Sequence, residues 1–162
     1  MTIIAELTPV EPSESEFVDR MGLVMERLGG TRTMGRLYGR LMICDPPDRS
    51  LTDLAAELGV SKTAVSTVAR QLEVGGMIER VPTATREHRY RMTGGGWAEV
   101  MQVQLAGVRK SLDTLDFGLS ILGEALPERR ARVEDTREFF AFILWDAEGM
   151  LQRWEEYRKK SS

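Results

Sequence analysis

One cysteine and one histidine are all that the 162 residues hold of the two side chains that build most structural zinc sites. Such sites are tetrahedral and take four ligands of this kind, so no zinc centre is expected. Cys44 likewise has no intramolecular disulfide partner. Its setting, RLMICD, reads as the buried end of a helix, which favours packing over oxidation sensing because free cysteines are among the most buried residues. No run approaches about 18 apolar residues, so no membrane-spanning helix is expected. The segment MTIIAELTPVEPSESE carries acids where a secretory signal carries basic residues, which predicts a cytoplasmic chain. An enzyme's equipment is missing too. There is no nucleophile, base and orienting group in a recognisable set, and TGGGW lacks the Lys-Ser/Thr ending of a phosphate loop. No catalytic residue, metal or cofactor is therefore expected. Positive charge is also in short supply: 22 Lys and Arg against 25 Asp and Glu leave a net charge of −3. Any contact with nucleic acid must come from a local basic surface and not from the global field.

What is present is ordinary for a folded chain. A charged fraction of 29% beside 42% hydrophobic residues excludes disorder as the general state. Residues 1–12, with Pro9 and Pro12, read as a mobile arm. Residues 13–44 read as two supporting helices. Phe17, Met21, Val24, Met25 and Leu28 form the apolar face of the first, which Gly29-Gly30 stops, and Met34, Leu37, Tyr38, Leu41 and Met42 that of the second. Asp45-Pro46-Pro47 ends the second helix.

Residues 45–93 read as a DNA-binding unit. SLTDLAAELG predicts a short helix capped by Thr52, with Leu54, Ala55 and Leu58 inward and Gly59 in a left-handed turn. Ser61 then caps another helix with Val65, Val68, Ala69 and Leu72 as its buried stripe, closed by Gly75-Gly76. MIERVP and EHRYRM alternate like two strands joined by TATR, giving a small antiparallel ribbon. Helix, glycine corner and helix match a helix-turn-helix, whose second helix enters the DNA major groove. If the apolar stripe faces the protein, Lys62, Thr63, Ser66, Thr67 and Arg70 face outward. Lysine and threonine reach base edges or phosphates, arginine pairs bidentately with guanine, and the free amides near Ser61 favour an anion. In residues 61–91 six cations, Lys62, Arg70, Arg80, Arg86, Arg89 and Arg91, oppose three carboxylates, leaving +3 locally and −6 on the rest. Arg86 at the ribbon tip suits a narrow minor groove, with His88 and Arg89 assisting. The plainer alternative is a solvated helix face beside a hairpin whose charges protect a sheet edge.

Residues 94–162 read as two long helices. Trp97, Met101, Leu105, Val108, Leu112, Leu115, Leu119 and Leu122 recur at spacings of four and three, and Pro127 opens a second helix with Val133, Phe140, Ile143, Ala147, Met150, Trp154 and Tyr157 in step. So much apolar surface calls for a second copy of the chain, which makes this a dimerisation region. The fold class expected is mainly α with a small antiparallel β wing, a winged helix-turn-helix with long dimerisation helices.

The run SLTDLAAELGVSKTAVSTVARQLEVGGMIERVPTATREHRYRM resembles the winged helix-turn-helix of MarR-type transcriptional regulators. With the leading helices, DPPDRSLT, the run that opens on LGVSK and the two long following helices, the likeness is to the GbsR-like branch and extends over residues 15–158. It implies a homodimer that binds double-stranded DNA at a palindromic operator and represses transcription, often under a small-molecule effector. The effector is expected between the DNA-binding lobe and the long helices. The family's recognition-helix pattern falls on Ser61, Lys62, Val65, Ser66 and Arg70, and its basic wing on Arg86 and Arg89. Choline-type effectors associated with that branch would suit an aromatic cage from Trp97, Trp145, Trp154, Tyr157 and the phenylalanines, although aromatics at helical spacing more often form core or interface. Winged helices also serve as protein-interaction modules, so a module that binds no DNA is the alternative reading.

Overall fold

The computed structural model describes residues 13–124 and 126–161; the arm expected over 1–12 lies outside them. The chain divides into two compact units with the boundary between Thr93 and Gly94.

The first unit opens with α1 (Glu14–Arg27) and α2 (Arg32–Ile43). Ser13 Oγ accepts from the Glu16 amide and Thr31 Oγ1 from the Met34 amide, so each helix starts on a hydroxyl cap. Between them the chain turns at Gly29, whose φ of 89° suits glycine. The buried line of α1 is Val18, Gly22 and Met25, and that of α2 is Gly35, Leu37, Tyr38, Gly39 and Leu41. This corrects the expected faces: Val24, Leu28 and Met42 are exposed, Leu28 at 73%. Glycines are the reason. A Cβ on Gly35 would overlap Met21 O and stand 2.7 Å from both Gly22 Cα and Met25 Cβ, so the two helices meet backbone to backbone there. That close approach, invisible to a count of apolar residues, turns the glycine notch inward and rotates Val24 and Leu28 out.

After α2 come β1 (Asp48–Ser50), α3 (Leu51–Leu58), α4 (Lys62–Val74), β2 (Ile78–Val81) and β3 (Arg89–Met92). The strands form one antiparallel sheet in the order β1-β3-β2, with Ser50 opposite Arg89 and Arg80 opposite Tyr90. The ribbon expected from the sequence is thus two strands of a three-stranded sheet, with β3 at its centre and β2 at one edge. Its extra strand is three residues long, too short to alternate legibly. The same strand corrects the expected cap of α3, because Ser50, and not Thr52, accepts from the Asp53 amide at 3.0 Å. Ser50 is 2% exposed. Ser50→Ala is expected to destabilise this unit by about 1 to 2 kcal/mol through loss of the cap, read as a lowered midpoint of urea unfolding with unchanged slope. Leu37, Tyr38, Leu41, Leu54, Val65, Leu72, Ile78 and Tyr90 fill the core. Cys44 lies at its edge with Sγ 3.6 Å from Leu41 O, and burial pushes its thiol above the ordinary range, which suits packing and not reactivity.

The second unit is a helical pair, α5 (Gly96–Leu122) and α6 (Pro127–Lys160). Pro127 occupies the first turn of α6, where its missing amide costs no hydrogen bond. Ion pairs Arg109–Glu148 and Arg137–Asp116 step in opposite directions along the two helices, so these run antiparallel. Arg137 also holds the Asp116 carboxyl below its usual range, so this clamp persists at neutral pH and loosens only in acid. Arg130 donates to Leu119 O and Gly123 O, tying down the end of α5. The seam read from the sequence is only partly covered. Leu105 is buried and Leu112, Leu115 and Leu119 are half-buried, whereas α6 has no buried residue. Phe117, Ile121, Phe139, Phe142, Trp145 and Tyr157 are each more than half exposed. No helix among the described residues is long and apolar enough to cross a membrane.

Candidate nucleic-acid interface

The corner between α3 and α4 forms because Gly59, at φ 65°, takes the left-handed turn and Ser61 Oγ accepts from the Ala64 amide. Val65, Val68, Ala69 and Leu72 are buried on one side of α4. The opposite side carries Ser61, Lys62, Thr63, Thr67 and Arg70, all exposed, with Ser66 half-buried between them. The Thr67 hydroxyl donates to Thr63 O at 3.0 Å, and Arg70 Nη2 donates to Ser66 Oγ at 3.4 Å. Both bonds lie along the helix surface and hold the outward face in order.

The wing bends between β2 and β3 over Pro82–His88. Thr83 Oγ1 donates to Thr85 O and Glu87 O, at 2.9 and 3.2 Å, which folds the tip on itself. The Leu51 amide donates to His88 O, so the wing's return strand is fastened to the start of α3. That fastening brings the wing and the recognition helix to one hollow of about 400 Å³. Leu51, Thr52, Lys62, Thr63, Ser66, Thr67, Arg70, Arg86, Glu87 and His88 line it.

Six cations were counted here from the sequence, and the fold sorts them. Arg80 pairs with Glu73 at 3.4 Å and lies over the Tyr90 ring, 5.9 Å from its centroid. Arg91 pairs with Glu79 at 2.7 Å and Arg89 with Asp48 at 2.5 Å. Among the described residues Lys62, Arg70 and Arg86 form no ion pair, and all three line the hollow. The local surplus therefore resides on one face. Arg89 departs from the sequence picture: it sits on β3 opposite Ser50, where its guanidinium reaches the neighbouring β1 carboxylate and not the hollow. His88 does line the hollow, with Nδ1 3.5 Å from Arg80 Nη1.

Sequence reasoning passed over Thr52 and Glu87, which only the pairing of β1 with β3 brings to the recognition helix. It also passed over Gln71 and Val74. These continue the exposed side of α4 and share a second hollow with Thr67 and Arg70. The spacing 63, 67, 70, 74 carried that signal. The aromatic cage does not assemble as expected. Trp97 and Trp154 share an apolar hollow of about 290 Å³ with Ala98, Met101, Met150 and Leu151, whereas Trp145 packs with Phe142 and Tyr157 stacks on Trp154 outside that lining.

A helix-turn-helix whose second helix and basic wing face a common hollow is the defining arrangement of a winged helix-turn-helix protein. Residues 41–87 match the MarR family, and residues 95–157 match the family described as MmpR5-like MarR family transcriptional regulator. The HTH-type transcriptional regulator MmpR5 of Mycobacterium tuberculosis (strain ATCC 25618 / H37Rv) is 36% identical over 134 residues, which is 82% of this chain and 81% of that protein. The putative HTH-type transcriptional regulator YvaV of Bacillus subtilis (strain 168) is 33% identical over 75 residues, 46% of this chain and 42% of its own length. The crystal structure of a transcriptional regulator superposes with a TM-score of 0.82 at 34% identity, covering 90% of this chain and 99% of the other. The chain belongs to the MarR family of transcriptional regulators.

Proposed function

We propose that this regulator is a sequence-specific DNA-binding protein that acts in the cytoplasm as a homodimeric repressor of a palindromic operator. A small-molecule effector relieves it. One observation carries the DNA-binding part: Lys62, Arg70 and Arg86, without ion-pair partners among the described residues, line one hollow between the recognition helix and the wing. Three cations gathered on one exposed face make a local positive surface on a chain of net charge −3, and such a surface attracts an anionic partner. A DNA backbone supplies anions in a row, and the hydroxyls of Ser61, Thr63, Ser66 and Thr67 lie where base edges and phosphates are read. The exposed aromatic surface of α5 and α6 supports the dimer. As to branch, residues 95–157 carry the MmpR5-like match, while the GbsR-like reading rests on the leading helices, the runs DPPDRSLT and LGVSK and the pattern of the two long helices.

Selection of bound duplexes from a random pool tests the reading, because it reports binding, symmetry and spacing together. A two-fold motif is expected, with log affinity falling linearly in log salt. Wild-type affinity equal to that of a Lys62/Arg70/Arg86 triple alanine variant would assign the fold to protein interaction. Arg70→Ala alone is expected to cost about 1 to 3 kcal/mol on the selected site. If the loss is confined to one base position, Arg70 reads a base; if it is uniform across sequences, Arg70 holds phosphate. An effector is expected to appear as a ligand that raises the melting temperature and weakens operator binding; a broad metabolite set that does neither would remove that part.

A further inference from the structure

An acid stands in the middle of the basic hollow. Glu87 lines it together with Lys62, Arg70, Arg86 and His88, and it is exposed at the very face that the cations present. Two contacts fix its backbone: Thr83 Oγ1 donates to Glu87 O, and the neighbouring His88 O accepts from the Leu51 amide. The Thr52 and Ser50 side chains at the start of α3 and the charge of Lys62 favour the charged carboxylate and hold Glu87 below its usual range, so it is ionised at neutral pH. Of the other carboxylates near the wing, Glu73 pairs with Arg80, Glu79 with Arg91 and Asp48 with Arg89, while Asp53 lies in the first turn of α3 and adds a second negative charge beside Glu87. Glu87 has no ion pair of that kind among the described residues and stands, exposed, in the lining of the hollow.

Resting on the DNA-binding reading above, we propose that Glu87 is a specificity-determining residue, a fixed negative charge that penalises complexes held by phosphates alone. In loose binding to arbitrary sequence the backbone slides through the hollow, and each phosphate that nears Glu87 is repelled. On a matched site the base contacts of α4 fix the register, so the phosphates settle beside Lys62, Arg70 and Arg86 and away from the carboxylate. Discrimination gains on both counts, because a repulsive element set against the wrong partner widens the affinity difference as effectively as a new attraction. The hydroxyls of Ser50 and Thr52 act as positioning groups that keep the charge from swinging out of the cleft.

The test compares wild type, Glu87→Gln and Glu87→Ala on two duplexes, one drawn from the selected pool and one of shuffled sequence and equal length, over a salt series. Both variants are expected to bind the shuffled duplex about tenfold more tightly, with a salt slope steeper by about one ion, while the selected duplex changes by less than about threefold. Glutamine matches glutamate in size and removes the charge, so matching melting temperatures for wild type and Glu87→Gln separate charge from folding. Unchanged or weaker binding of the shuffled duplex by Glu87→Gln overturns the proposal. So does an equal gain on both duplexes, which would make Glu87 a general brake on affinity with no part in discrimination. Failure of wild type to bind either duplex in a salt-dependent way would instead sink the DNA-binding reading on which it rests.

Discussion

Gly35→Ala is expected to destabilise the first unit by about 3 kcal/mol, a large effect for one added methyl group. The new Cβ has nowhere to go, since Met21 O, Gly22 Cα and Met25 Cβ already occupy its position and two of the three are not flexible side-chain ends. Relief requires α1 and α2 to separate, which loosens Val18, Met25, Leu37 and Leu41 at once. In a unit of this size such a loss lowers the thermal midpoint on the order of 10 to 20 °C. Gly59→Ala is the informative comparison: its Cβ would meet nothing within 4 Å, and only the positive φ of 65° opposes it. That backbone cost is about 1 to 2 kcal/mol. Calorimetry ranking the two variants in the opposite order would mean that α1 and α2 do not meet at this glycine contact.

The same contact explains much of what could and could not be read before the fold was known. Wherever structure is set by local chemistry, the residues announce it. Ser61 as a cap, Gly59 as a corner, Pro127 at a helix start and the stripe Val65, Val68, Leu72 stand where their types require. Those assignments need only neighbours within a turn or two of the chain. Glycine notches and a three-residue strand depend instead on partners 10 to 43 positions away, and no periodicity encodes them. The register of β1 on β3 is the clearest instance. It decides that Arg89 reaches Asp48 while Arg86 and Glu87 stay in the hollow, and it carries Thr52 to the wing.

For the site this division has a physical consequence. Charge counted along the sequence treats six cations as equivalent, yet three are neutralised by carboxylates that arrive only through folding. The arrangement leaves Lys62, Arg70 and Arg86 as the electrostatic surface. It also gives the paired arginines structural work: Arg89–Asp48 clips the first strand to the third, and Arg80 packs on Tyr90 and shields the core beneath the sheet. In the helices behind them a second set works the same way. Arg40 bridges Glu14 and Glu57, Arg49 joins Glu57 at 3.1 Å, and Arg36 Nη1 donates to Leu58 O at 3.0 Å, so α2 holds the C-terminal end of α3 just before the corner. Helix α4 is thereby mounted on a braced support, which suits the groove-reading role proposed for it.

If two such probes act together, as proposed, their separation is set by the helices that join the copies. Ala106→Pro is then expected to abolish dimerisation and operator binding together. Ala106 lies in the interior of α5 and is exposed, so little side-chain packing is lost. Proline there removes a backbone donor and drives its ring against the carbonyl of Gln102, at a cost of about 3 kcal/mol or more to the helix. A kink at that point redirects the exposed apolar surface beyond it, including Phe117 and Ile121, and with it the surface offered to a second chain. Matched half-sites recur about 34 Å apart per DNA turn, so a monomer can engage one of them but gains nothing from the other. Sedimentation equilibrium should find the variant monomeric, and a gel shift should find its affinity for the full palindrome reduced to that for a half-site. A monomer that held the full palindrome as tightly as the parent would show that α5 does not set the spacing, whereas loss of operator binding by a variant that still dimerises would assign α5 to orienting the probes within an intact pair.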